Sequence, residues 1–203
     1  MDEKVKYFTT LMLTRRGYSV PSTTQKIDTK TISPEFYIVE PIPCFKKNKN
    51  RSNTTIVFFI TKNNINSEKL TINIYKQLLV IASQKNYNII IVYDSQISLT
   101  SDVKTNIENS VNNTIKIYII EVFDSDRLGF DLYETLFEDK DDPDNVVFCE
   151  DINDKIPVFC INDVLVQYMG AFPGDVLRGK FQGDHTISER RVSTIVGLQN
   201  VKI

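Results

Sequence analysis

Histidine occurs once, cysteine three times and tryptophan not at all in the 203 residues of this chain. That scarcity removes much of the side-chain chemistry on which metal centres and nucleophilic catalysis draw. Cys44, Cys149 and Cys160 form no Cys-x-x-Cys pair, and a single histidine forms no His-x-x-His. A zinc site therefore lacks a ligand set of the usual spacing, and the odd cysteine count argues against a disulfide framework. The thiols read as free and buried. His185 stands in a Gly-Asp-His-Thr loop, a setting that fits surface decoration better than a general base, and no spacing brings a thiol to it. None of the seven glycines belongs to a G-x-x-x-x-G-K-[S/T] loop, a G-x-G-x-x-G turn or a G-x-S-x-G elbow. No catalytic set, metal or cofactor is expected.

Excess charge and long apolar runs are missing as well. Lys and Arg number 24 against 26 Asp and Glu, a net charge of −2, so any contact with nucleic acid must come from a local patch. No segment has the pattern of a secretory leader or the length to span a bilayer, which leads us to expect an intracellular protein without a membrane partner.

What is present is a hydrophobic fraction of 41%, enough for an ordinary core. Residues 3–16 carry a helical stripe of Val5, Phe8, Leu11 and Met12, closed by Arg15-Arg16-Gly17: cations for the helix C-terminus and glycine for the left-handed cap. A Ser/Thr-rich loop follows, then a short strand at 36–39 cut off by Pro41 and Pro43. Residues 55–60 are a continuous run of β-formers suited to a strand covered on both faces. Ser67 is placed to cap a helix with Leu70, Ile74, Leu78 and Ile81 on its core side. Residues 88–93 give a second buried strand, and Ser101 starts a helix with Val103, Ile107 and Val111 on one side. A third strand is predicted at 115–120, then a helical stretch with Leu128, Leu132 and Leu136. Alternating strands and helices predict an α/β domain over 1–138.

From Glu138 to Asp151 seven acidic residues face one lysine, and Pro143 interrupts any regular element. Such a run reads as a solvated linker, placed at 139–145; a hard-cation loop would need a glycine turn that this run lacks. Residues 146–203 then form a small α+β module. It has a strand at 146–148, a short helix with Val164, Leu165 and Tyr168 after Asn162-Asp163, a stop at Gly170 and a turn at Pro173-Gly174. Two strands, 176–181 and 191–196, flank the loop that holds His185.

The enzymatic alternative that fits an α/β fold best is metal-dependent cleavage of nucleic acid. It needs a strand-end acid, for which Asp94 is placed, and a Glu-x-Lys on the next strand. Glu121 is followed two positions on by Phe123, so the lysine is missing. Two basic groups remain. The loop at 46–51 holds Lys46, Lys47, Lys49 and Arg51; Arg178, Lys180, Arg190 and Arg191 lie on the C-terminal strands, Arg178 and Lys180 on one face. Phosphates or an acidic protein surface would suit the second group equally.

At these C-terminal residues the chain resembles a known family. The series is Ile156-Pro157, Asp163, Tyr168, Gly170, Gly174 and Val176, then Ser188, Arg190 and Val196. It is similar in order and spacing, up to Val176, to the C-terminal module of the subunit-5 family of eukaryote-type DNA-directed RNA polymerases, a module shared with an archaeal polymerase subunit. Val164 stands where that family has Pro, Phe181-Gln182 where it has Arg-Pro, and Asn145 where its linker has His. Farther upstream, Arg16-Gly17-Tyr18, Val57-Phe58-Phe59, residues 89–92 and the run Thr100-Ser101-Asp102-Val103-Lys104 resemble the family's first helix end, two strands and Thr-Pro-Ser-Ala-Lys segment, with Ser101 in place of Pro.

The resemblance implies an N-terminal jaw module, nuclease-like in fold but inactive, that flanks downstream duplex DNA without reading its sequence. Thr100, Ser101 and Lys104 are then nearest the phosphates. It implies a C-terminal module that docks on the largest polymerase subunit, with Ile156, Pro157, Tyr168 and Val176 packing, Gly170 and Gly174 setting turns, and Asp163, Arg178 and Arg190 completing the assembly set. Archaeal relatives keep only the C-terminal module, so a jaw points to a eukaryotic polymerase or that of a large DNA virus. The expected place is the nucleus for a cellular protein, or the virus factory in the host cytoplasm and the virion for a viral one. A stand-alone nuclease-like enzyme and a protein-interaction adaptor stay open as alternatives.

Overall fold

Strand β4, Thr55–Ile60, is buried at every residue, and β6, Asn88–Tyr93, at all but its last. They pair in parallel as the centre of a sheet in the computed structural model, which describes residues 1–29, 31–42, 54–111, 120–129, 146–149, 157–160, 163–179 and 188–193. The chain divides into two compact units, Met1–Phe130 and Asp131–Ile203. The linker expected at 139–145 lies outside the described residues, as do the basic loop at 46–51, Cys44, Ile156, Lys180 and His185.

In the first unit the strands before β4 are β1 (Tyr18–Ser19), β2 (Gln25–Lys26) and β3 (Glu35–Pro41), and β8 (Ile120–Asp124) closes the other edge. The order is β1-β3-β4-β6-β8, with β2 also on β3. β4, β6 and β8 are mutually parallel, while β1 to β3 form antiparallel pairs beside them. Helix α1 (Glu3–Arg15) precedes the sheet, and the single-turn α2 (Lys62–Ile65) follows β4. Helices α3 (Ile72–Ser83) and α4 (Ser101–Val111) make the crossovers β4-α3-β6 and β6-α4-β8.

Alternation along each strand assigns the two sheet faces. Phe36, Ile56, Phe58, Ile60, Ile89, Ile91 and Ile120 share one core with Tyr75, Leu78 and Ala82 of α3 and Val103 of α4. The opposite face presents Tyr37, Val39, Val57, Phe59, Ile90, Val92 and Phe123, all buried. Helix α1 serves that face, burying Val5, Thr9, Met12 and Leu13. Burying one large apolar side chain is worth about 1.5–3 kcal/mol, so two covered faces carry most of this unit's stability. Thr9 is tolerated there because its hydroxyl donates to the Val5 carbonyl at 2.7 Å.

Several expectations need correction. Strand β3 runs through Pro41 instead of ending before it: β4 pairs only as far as Val39, and Pro41 lies opposite Tyr18 on short β1, where its missing N–H removes no central ladder bond. Helix α3 starts after Thr71, not Ser67. Ser67 makes a local turn, its hydroxyl accepting from Lys69 N and donating to Lys69 O. Leu70 belongs to β5 (Lys69–Leu70), which pairs in parallel with β7 (Ser98–Leu99). The helix therefore turns Tyr75, Leu78 and Ala82 inward and leaves Ile74 and Ile81 half-buried. Of the third strand expected at 115–120 only Ile120 is described, residues 112–119 lying outside; the strand runs on through Asp124, in a register that sets Ile120 against Ile89. Only a 3-10 turn, Ser125–Leu128, is described of the helix expected next; it buries Leu128, while Leu132 and Leu136 lie outside.

The second unit is a four-stranded mixed sheet of β9 (Val146–Cys149), β10 (Val158–Cys160), β11 (Val176–Gly179) and β12 (Ser188–Ser193), ordered β10-β12-β11-β9. β11 is antiparallel to both neighbours, and β10 runs parallel to β12. Helix α5 (Val164–Met169) lies in sequence between β10 and β11 and buries Leu165, Val166, Tyr168 and Met169. β12 begins three residues before the expected Arg191, because Ser188 must face Gly179 across the hairpin. β10 went unforeseen: three residues after Pro157 are too few to show a period. The chain is thus mixed α/β in its first unit and α+β in its second. No helix among the described residues is long and apolar enough to cross a membrane.

Candidate functional site

Open α/β sheets tend to bind ligands at the carboxyl ends of their parallel strands. Here β6 runs out into Asp94, whose N–H donates to the Ile60 carbonyl at 2.9 Å and whose Oδ1 accepts from Gln96 N at 3.0 Å. β8 ends at Asp124, whose Oδ1 accepts from Asp126 N at 2.9 Å and so caps the 3-10 turn. Ser95 N donates to the buried Ser125 hydroxyl at 2.9 Å and joins the two strand ends. Burial and the neighbouring Asp124 carboxylate push the Tyr93 phenol above its ordinary range. An open cleft of about 560 Å³ lies here, lined by Asp2, Lys4, Val5, Asp94, Gln96 and Asp126 among others.

The two acids weighed for nuclease chemistry are not brought together. Glu121 is the second residue of β8 and lies opposite Ile90, whereas Asp94 lies beyond Tyr93. Four residues of strand separate the two levels, roughly 13 Å. Carboxylates that share a divalent ion must each bring an oxygen within about 2.0–2.6 Å of it. Glu121 is engaged elsewhere: Arg16 donates to both its oxygens, Nη1 at 3.0 Å and Nη2 at 2.9 Å. The Arg16 guanidinium also lies 5.6 Å from the centre of the Phe123 ring. Phe123 thus packs where cleavage would require lysine, and a resident guanidinium balances the acid. Among the described residues no group of three His, Cys, Asp or Glu is placed to hold a metal ion.

No local sequence pattern links Arg16 to Glu121, 105 positions apart, and Arg16 by itself fits a cation for the helix C-terminus. Equally non-local is the pair formed by Lys6 Nζ and Glu35 Oε2 at 2.9 Å near the other end of α1. The hydrogen bond from Lys6 lowers the Glu35 carboxyl below its usual range. Burial opposes the charge on Lys6, but hydrogen bonds to Glu35 and Glu3 outweigh it and raise the ammonium group.

Of the residues expected beside duplex DNA, Ser101 and Lys104 are exposed and Thr100 is half-buried. The Thr100 N–H and hydroxyl both point at the Leu70 carbonyl, at 3.3 and 3.4 Å, so this side chain ties α4 to the β5–β7 pair. Its own carbonyl accepts from Lys104 N and closes the first helical turn. Because β5 and β7 are parallel neighbours, α3 and α4 begin side by side. Amides and dipoles at helix starts favour phosphate, while the exposed Asp102 opposes it.

In the second unit the family-like residues have specific local work. Asp163 is the N-cap of α5, its Oδ1 accepting from Leu165 N at 2.9 Å. Tyr168 is buried, and Gly170 ends the helix in the left-handed region at φ 61. Gly174 turns the chain at φ 94, and its N–H donates to the Val192 carbonyl at 2.9 Å. A Cβ at Gly174 would meet nothing within 4 Å, so the backbone angle alone favours glycine there. Val176 is buried, between Cys149 and Arg191 in the ladder. Val164 occupies the first position of α5, where proline's fixed φ and missing N–H fit best. Pro157 is exposed, and its carbonyl accepts from Arg191 N at 2.9 Å.

Arg178 faces solvent opposite Glu189, and the half-buried Arg190 lies 5.3 Å over the Phe159 ring. Their pairing partners on β12 and β11 differ by one step, so the two arginines point to opposite faces of the sheet. Among the described residues of the second unit two aliphatic side chains stand out in water, Val158 at 58% exposure and Val164 at 40%. The stretch Gly174-Asp175-Val176-Leu177-Arg178-Gly179-Lys180 has phosphate-loop spacing but is followed by Phe181 where the motif has Ser or Thr. Its residues from Val176 to Gly179 form strand β11 between β9 and β12, where their ladder with two neighbours precludes an amide cradle. No family model matches the chain, and no curated protein matches it.

Proposed function

We propose that the chain is a non-catalytic subunit of a multisubunit DNA-directed RNA polymerase. Its second unit docks on the largest subunit, and its first unit, a nuclease-like jaw without a cleavage site, flanks downstream duplex DNA. The observation that carries this reading is the collinear series Asp163, Tyr168, Gly170, Gly174 and Val176. Each sits at the family-like spacing and each fills a role that spacing requires: helix cap, buried ring, left-handed stop, turn and core strand. The order of helix, antiparallel strands and two strand-helix-strand crossovers in the first unit is compatible with such a jaw. The engaged state of Glu121 supports a role other than cleavage.

These local roles also narrow the docking surface. Asp163, Tyr168, Gly170, Gly174 and Val176 shape the module from within, so direct contact falls to the solvent-facing Pro157, Val158, Val164 and Arg178. Arg178 would meet an acidic surface of the largest subunit, and other polymerase subunits would adjoin it. On the DNA side, Ser101 and Lys104 offer exposed donors to phosphate oxygens, contacts that position a duplex without reading its sequence. The protein would work wherever that polymerase does, in the nucleus of a cell or in a viral factory and virion. Arg178→Glu, tested by capture of the largest subunit on the tagged full chain, should reduce its recovery at least tenfold with the circular dichroism unchanged. Undiminished recovery would remove Arg178 from the interface.

A further inference from the structure

We draw no further inference here: the strongest candidate, the cleft at the carboxyl ends of β6 and β8 where Asp2, Asp94 and Asp126 gather beside the start of α1, is an acidic cluster at a helix end, and nothing in the structure points to a ligand within it.

Discussion

Replacing Arg16 with methionine keeps much of the side-chain volume and removes the guanidinium that meets both oxygens of Glu121. The Arg16 side chain is 3% exposed and that of Glu121 21%, so the carboxylate left behind is mostly, though not wholly, out of water. Removing one partner of a fully buried pair costs about 3–5 kcal/mol. Partial hydration of Glu121 reduces that to about 2–3 kcal/mol, and the lost contact with the Phe123 ring adds about 0.5–1 kcal/mol. Arg16→Met should therefore destabilise the first unit by roughly 3 kcal/mol. Pairing it with Glu121→Leu should recover at least half of this, since an apolar pair of similar volume replaces an ion pair at little cost. The assay is urea unfolding followed by far-ultraviolet circular dichroism and tyrosine emission, run as a double-mutant cycle. A coupling energy below about 0.5 kcal/mol would show that the pair behaves as a solvated surface contact and would refute the reasoning.

Four further outcomes each turn on a single residue. Glu35 has a lowered carboxyl, so its contribution is present above the ordinary carboxylate range and lost as pH falls through its folded value. Glu35→Gln should flatten that acid limb of the stability curve by about 0.5 kcal/mol, and an unchanged limb would contradict it. Asp163→Ala should cost the second unit about 1 kcal/mol through the lost cap, measured by thermal unfolding, and Asp163→Asn should restore most of it. Gly174→Ala should cost about 1–2 kcal/mol from backbone conformation alone, and a null result in the same assay would count against the φ of 94. Val164→Pro should be neutral or stabilise the second unit by up to about 1 kcal/mol, because that position needs no N–H; a loss above that size would mean α5 starts elsewhere.

Burial on both faces is what made the centre of the first sheet legible. Residues 55–60 and 88–93 are nearly unbroken β-formers, and such runs admit few other structures. The start of α3 was misplaced because Ser67 and Leu70 satisfy a helical pattern locally. Only the pairing of Lys69–Leu70 with Ser98–Leu99, some thirty residues on, moves them into a strand. Pro41 misled for a similar reason: whether a proline ends a strand depends on which neighbour runs alongside, and that is settled by register. In the second unit, capping and turn residues were readable because their physics is local. Asp163 precedes its helix, and Gly170 and Gly174 take backbone angles that other residues avoid.

The candidate site followed the same division. The absence of lysine at Phe123 could be read from two positions in the chain, whereas the guanidinium that occupies Glu121 could not, since it arrives from the end of α1 once that helix crosses the sheet. Likewise Arg178 and Arg190 looked like one basic group in sequence, but the antiparallel register sends them to opposite faces.

The proposed membership in a polymerase is tested by mass spectrometry of native complexes captured through the tagged chain from cells that produce it. The largest RNA polymerase subunit should co-elute in equimolar amount and survive a further sizing step. Recovery of the chain alone, or with partners that include no polymerase subunit, would rule that membership out.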